Sequence, residues 1–311
     1  MPHTTLKSRR RPRGAAQKSR KPWSEARKAG LCILQTDVLK RQPWLIHGFS
    51  TRPGGESVLD GEKVLNLGFA KWDTRESVLS NRKRFLEAVG AEGFDLVPLR
   101  QIHSDVIHAF KIAPEEPCRG DASITDTPGL FLAVQTADCV PILLADPVRR
   151  VVAAVHAGWR GTLGRIVMKT IGRMQMNYGS KPVNLIAALG PAIGGCCYEV
   201  GTEVAQAFSA QFASAAEWFD ELRTWEEPNP LQWLSMAPPG HNLPPKKVRL
   251  DLRAANRWQL TEAGVRPENI AASDLCTACR TDLLFSYRRE GPESGRLMTV
   301  IGIRKKLKMA G

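Results

Sequence analysis

The sequence predicts an α+β fold, and three observations carry that reading. Apolar runs of strand length come in clusters, as at Leu130–Thr136, Val140–Ala145 and Val151–Val155, with gaps too short to hold a helix. Helical patterns lie between clusters and do not alternate regularly with strands, as a doubly wound parallel sheet requires. Of the 311 residues, 43% are hydrophobic and 24% charged, which suits a folded chain with an ordinary core and excludes a disordered or fibrous one.

In chain order, residues 1–30 come first. They hold ten Lys/Arg and one acid, Glu25, so +9 of the net +13 sits there. Few large apolar residues occur in this stretch, so it is expected to be a disordered basic tail. A solvated extension is the plainer reading. A loose arm for nucleic acid or anionic lipid is the alternative, and the basic, acid-poor makeup also fits a transit peptide. A folded domain is expected over 31–311, with no run of about 18 apolar residues to span a membrane and hence a cytoplasmic location. Trp44–Phe49 is the first strand expected. A helix follows from a capping box of Asp73 and Glu76, with Val78, Leu79, Phe85, Leu86 and Val89 on one face and Gly90 as its stop. Leu96–Ile102 and the three clustered runs are strands. Thr162–Asn177 reads as a second helix and Val183–Leu189 as a strand. Val204, Phe208 and Phe212 mark a third helix. Six prolines between Glu226 and Lys247 forbid continuous helix or central strand and indicate a long surface loop. Leu252, Ala255, Leu260 and Ala263 mark a fourth helix, ending at Gly264, and Met298–Ile303 is the last strand.

Seven cysteines at odd spacing, without a secretory signal, indicate thiols in a reducing compartment. Cys276-Thr-Ala-Cys279 has zinc-knuckle spacing, but no second pair lies nearby in the chain, so it reads as two buried or incidental thiols.

Three segments put a metal-ligand residue at the edge of an apolar run: Gln101-Ile-His103-Ser104, Thr136-Ala-Asp138-Cys139 and His156-Ala-Gly158-Trp-Arg160-Gly161. Two imidazoles and a thiolate suit Zn(II) and leave a position for water, which zinc activates at neutral pH. Their separations of 36 and 17 residues match no local metal motif, and by spacing alone each reads more readily as a packed interior residue. A Cys–His pair also suits a thiol nucleophile with its base. Gly-rich turns at Ser50–Gly55 and Gly190–Tyr198 are tight turns by default, with Arg52 exposed on the first.

Taken together, His47-Gly-Phe-Ser-Thr-Arg52, Leu65-Asn66-Leu67-Gly68, Gln101-Ile-His103-Ser104, Gly120-Asp121-Ala122, Thr136-Ala-Asp138-Cys139, His156–Gly161, Gly190–Ile193, Asp251-Leu-Arg253, Cys276-Thr277 and Phe285–Arg289 with Gly295-Arg296 resemble the laccase-domain family. This family is also called multicopper polyphenol oxidase-like or YfiH. The matches run in one order over about 32–305 and leave the basic tail outside. The resemblance implies one α+β domain with mixed sheets in a sandwich-like core and helices outside. It implies zinc on His103, Cys139 and His156. It also implies purine nucleoside chemistry: phosphorolysis of adenosine, inosine, guanosine and methylthioadenosine to base plus ribose 1-phosphate, and deamination of adenosine to inosine. The expected partners are thus a purine nucleoside and phosphate, for a monomer or small homo-oligomer.

Within that expectation Arg52 is the first choice for the phosphate pocket and Arg160 the second. Arg288 can instead pack structurally, and Asn66 and Gln101 are candidates to bind ribose or base. Asp138 is the candidate proton carrier, with a turn residue as its plainer reading, because no Glu stands in the motif segments. Rival readings are amide hydrolysis that removes serine from a UDP-muramyl peptidoglycan precursor, and copper-dependent phenol oxidation. Six histidines in all, one of them in the tail, argue against four coppers.

Overall fold

The computed structural model describes residues 22–221 and 247–305. Two six-stranded sheets lie face to face. The first runs, edge to edge, Trp23–Lys28, Leu31–Thr36, Leu45–Ser50, Leu297–Ile303, Leu130–Thr136, Asp95–Val97. The second runs Ile270–Ala272, Ile186–Leu189, Val140–Asp146, Val151–Ala157, Ala122–Thr125, Ile107–Ala109. Both sheets are mixed: each is largely antiparallel, with a parallel pair at one edge of the first and at both edges of the second. Period-two alternation decides what each strand side packs against. Leu143, Ala145, Val152 and Ala154 of the second sheet meet Phe49, Leu132, Val134 and Ile301 of the first between the sheets. Ile142, Leu144, Val155 and Leu189 point the other way, onto Ile171, Met174, Phe208 and Leu260 of the outer helices. Phe131 and Val300 pack outward against Phe85 and Ala88 of the helix Arg75–Val89. The result is a four-layer α/β/β/α sandwich. It explains why Val140–Asp146 and Val151–Ala157 are buried throughout and read as unbroken apolar runs.

The architecture is the α+β sandwich expected, with four local corrections. Residues 23–28 are not tail but an edge strand, paired in full register with Leu31–Thr36; residues 1–21 lie outside the described residues. The helix expected from Asp73 is capped one residue later, by Thr74, whose side chain accepts from the Ser77 N–H at 3.1 Å. Asp73 is occupied instead with Ser57 and Asn66. The helix expected over 162–177 is two, Trp159–Leu163 and Ile166–Tyr178, broken where Arg165 adopts φ +59°. The strand expected over 96–102 ends at Val97, which releases the loop that carries His103. Most of the proline-rich segment 226–247 lies outside the described residues. Among the described residues no helix is long and apolar enough to cross a membrane.

A candidate metal centre in an arginine-rimmed pocket

The strands Val140–Asp146 and Val151–Ala157 pair antiparallel with Pro141 opposite His156, so Cys139 enters the ladder beside His156. The loop with His103 closes over this end of the strand pair. Its backbone is held by Asp121, whose carboxylate accepts from the N–H groups of Ile102 (3.2 Å), His103 (3.0 Å) and Ser104 (2.7 Å) and from the Ser104 hydroxyl (2.7 Å). The same carboxylate pairs with His156 Nδ1 at 2.8 Å. With its Nδ1 so engaged, His156 has Nε2 left to serve as a ligand.

His103, Cys139 and His156 each offer a donor atom within 4.8 Å of the others, and the Cys139 Sγ to His103 Nε2 separation is 3.9 Å. The three fit a zinc ion by donor chemistry, two imidazoles and a thiol, and by a cradle left open for them. A Cβ on Gly158 would stand 3.0 Å from Cys139 Sγ and 3.1 Å from His103 Cδ2, so any larger residue would crowd both donors. Burial alone raises the Cys139 thiol, but the charge of His156 and hydrogen bonds from both imidazoles pull it down to about 6. Conversely, burial lowers His156, and Cys139 together with the Asp121 carboxylate pushes it up. The site therefore favours thiolate, the form a metal requires.

These groups open into a cavity of about 670 Å³. Trp159, Tyr198 and Tyr287 give it aromatic walls, and Arg160, Arg288 and Arg296 give it a cationic rim. Arg160 stacks on Trp159 at 4.3 Å, and Arg288 stacks on Tyr198 at 5.1 Å while donating to the Glu199 carbonyl at 2.9 Å.

Of the residues singled out from sequence, His103, Cys139, His156, Asp138, Gln101 and Arg160 share this cavity. Gln101 is committed to the main chain: its amide donates to the Gln135 carbonyl and accepts from the Gln135 N–H, both at 2.7 Å. Asp138 accepts from Thr277 Oγ1 (2.6 Å), Ser286 Oγ (2.7 Å) and the Arg288 N–H (2.6 Å). Arg52 lies elsewhere. It pairs with Glu290, donates to the Thr281 carbonyl at 3.1 Å and lies over Phe285, lining a neighbouring cavity of about 870 Å³. Asn66 is fully buried, and its Oδ1 accepts from the Arg296 N–H at 2.9 Å, so it reaches the pocket only through Arg296. Sequence reasoning missed the roles of Asp121, Tyr198, Tyr287 and Arg296. All four stand in or beside the quoted motifs, yet nothing in their spacing shows that they converge.

Sandwich and site together define a protein whose facing sheets carry a His–Cys–His donor group at one end of a strand pair. The chain belongs to the multi-copper polyphenol oxidoreductase laccase family, whose profile matches residues 46–304. It is 39% identical over 261 residues to a purine nucleoside phosphorylase of Deinococcus radiodurans, covering 83% of this chain and 88% of that one. It is 35% identical over 266 residues to an adenosine deaminase from an unknown prokaryotic organism, covering 82% and 93%. The crystal structure of YlmD from Geobacillus stearothermophilus superposes with a TM-score of 0.74 at 31% identity, over 91% of this chain and all (100%) of that one. Among the described residues, His47 is buried against the Thr36 N–H and His108 pairs with the Arg119 carbonyl, which leaves two histidines at one site.

Proposed function

We propose that this chain is a zinc-dependent purine nucleoside enzyme. Its reactions are phosphorolysis of adenosine, inosine, guanosine and methylthioadenosine to base plus ribose 1-phosphate, and deamination of adenosine to inosine. The observation that carries the reading is the joining, in one cavity, of a His–Cys–His donor group, aromatic walls and three arginines. The names of the relatives support the same chemistry.

His103, Cys139 and His156 would hold the zinc, which when bound supplies a Lewis acid able to activate water. Asp121 fixes the tautomer of His156 and the path of the His103 loop, so the His156 ring and the backbone that carries His103 are set in advance. Trp159, Tyr198 and Tyr287 offer faces on which a purine stacks. Arg160, Arg288 and Arg296 attract phosphate and offset its charge as it approaches the anomeric carbon and the glycosidic bond opens. Asp138 already accepts three hydrogen bonds, two from side chains and one from the main chain, and it fixes the loop that positions Arg288. These bonds support a positioning role for Asp138 in place of the proton carrier expected from sequence.

The test is incubation of purified, metal-quantified protein with adenosine, with and without phosphate, beside His156→Ala. The expected products are adenine and ribose 1-phosphate only with phosphate, and inosine without it, all lost in the variant. Neither product from zinc-loaded protein overturns the proposal.

A further inference from the structure

Cys276 and Cys279, separated in sequence from any partner pair, acquire one in the fold. The turn after the strand Ile186–Leu189 brings Cys196 and Cys197 onto the turn that holds Cys276 and Cys279. Cys279 Sγ lies 3.6 Å from Cys196 Sγ and 3.4 Å from Cys197 Sγ, across 83 and 82 residues of chain. All four sulfurs lie within 4.8 Å of one another. A zinc ion with four thiolates at about 2.3 Å sets its sulfurs about 3.8 Å apart, which is the scale of this cluster.

Four features beyond proximity fit a tetrathiolate metal centre. Gly194 donates its N–H to Cys276 Sγ at 3.2 Å, an interaction that favours a thiolate over a thiol. Gly194 lets its turn pack closely on the cluster: a Cβ there would stand 3.1 Å from Cys196 Sγ and 2.9 Å from Arg253 Nη2, and both would have to give. The Arg253 guanidinium, anchored on the carbonyls of Ser273 (2.6 Å) and Leu275 (3.2 Å), packs against the same glycine. It thus brings positive charge beside a centre that four thiolates around Zn(II) would leave at −2. Cys196 and Cys279 are exposed, so an ion reaches the cluster from solvent.

We propose that Cys196, Cys197, Cys276 and Cys279 form a second metal site, a tetrathiolate zinc centre that clamps the Gly194–Tyr198 turn to the Cys276–Arg280 turn beside the pocket. Soft thiolate ligands in tetrahedral number select zinc, and closed sites of this kind are structural rather than catalytic. Binding forms four Zn–S bonds and releases the thiol protons still held on the four cysteines to solvent. The clamp is adjacent to the pocket on both sides. Tyr198 follows Cys197, and Thr277, which holds Asp138 at 2.6 Å, follows Cys276.

The experiment is metal counting on the full chain, purified under reductant, loaded with Zn2+ or Co2+ and desalted. Wild type should retain two equivalents, with a cobalt–thiolate charge-transfer band stronger than one cysteine gives. Cys279→Ser, at an exposed position, should retain one equivalent and lose most of that band. Cys139→Ser should also retain one, with the band largely kept. One equivalent in wild type that Cys279→Ser leaves intact overturns the proposal. So does a disulfide among these four cysteines, found by mass spectrometry in reduced-purified chain that takes up no second ion. One equivalent that Cys279→Ser abolishes would instead support this site and count against zinc on His103, Cys139 and His156, so the two readings fail separately.

Discussion

Asp121 Oδ1 accepts from His156 Nδ1 at 2.8 Å and from the His103 main-chain N–H at 3.0 Å, so one carboxylate oxygen orients the His156 imidazole and anchors the backbone that carries His103. Its partner Oδ2 takes the Ser104 N–H and hydroxyl. An amide has one oxygen to replace two, and its NH2 would face N–H donors whichever way it turned. Asp121→Asn is therefore expected to weaken zinc binding about 10- to 100-fold. Competition with a chromogenic chelator measures this; an unchanged affinity would show that His156 and the His103 loop are held by something else.

Arg160 is the rim cation least committed to the protein. It stacks on Trp159, and among the described residues no carboxylate or carbonyl accepts from its guanidinium, whereas Arg288 and Arg296 each donate to main-chain carbonyls. If it binds phosphate, Arg160→Ala should lower kcat/KM for phosphate in phosphorolysis about 10- to 100-fold, the worth of a charge-assisted hydrogen bond. Deamination, which needs no phosphate, should change little. Equal losses in both reactions would assign Arg160 to the nucleoside.

His47 gives the fold an acid sensitivity separate from the site. It is buried between the sheets, where its Nε2 accepts from the Thr36 N–H at 3.1 Å, and burial, helped by the charge of Lys40, lowers its pKa from 6.5 to about 3. Between those values the unfolded chain carries a proton that the folded chain does not, so stability falls as pH drops from 6.5 towards 3. At pH 5 this amounts to about 2 kcal/mol. Urea unfolding at pH 7.5 and pH 5 should show wild type losing about that much more than His47→Gln. Equal losses would show that other groups govern the acid limb.

Much of this was legible in the chain. Strand clusters and helix periodicity carried the α+β class, and the resemblance carried the sandwich; its layers follow from alternation, because Leu143 and Ile142, adjacent in sequence, serve opposite layers of the core. The juxtaposed donor group was legible as a resemblance and as residue types, though not from spacing, because strand pairing brings Cys139 to His156 across a hairpin. Arg52 and Asn66 were misplaced because a motif does not say which way a side chain points. Arg52 turns to Glu290 in the neighbouring cavity, and Asn66 turns inward to the Arg296 main chain. The cysteine cluster was invisible for the same reason in reverse: contacts across 82 and 83 residues leave no local signature.

Asp138 separates positioning from proton transfer. Its backbone stands at φ +94°, a conformation that Asn tolerates better than other side chains, and its carboxylate holds Thr277, Ser286 and the Arg288 N–H. In Asp138→Asn the hydroxyls of Thr277 and Ser286 can turn to accept from the new NH2, while the remaining oxygen keeps the Arg288 N–H. The loop then survives and the acid does not. A positioning role predicts that Asp138→Asn keeps deamination within about tenfold of wild type, while Asp138→Ala, which leaves three donors unpaired, loses about 100-fold or more. A proton carrier would make the two substitutions equally damaging. Steady-state kinetics of both variants on adenosine, with zinc content matched, decides between the two roles.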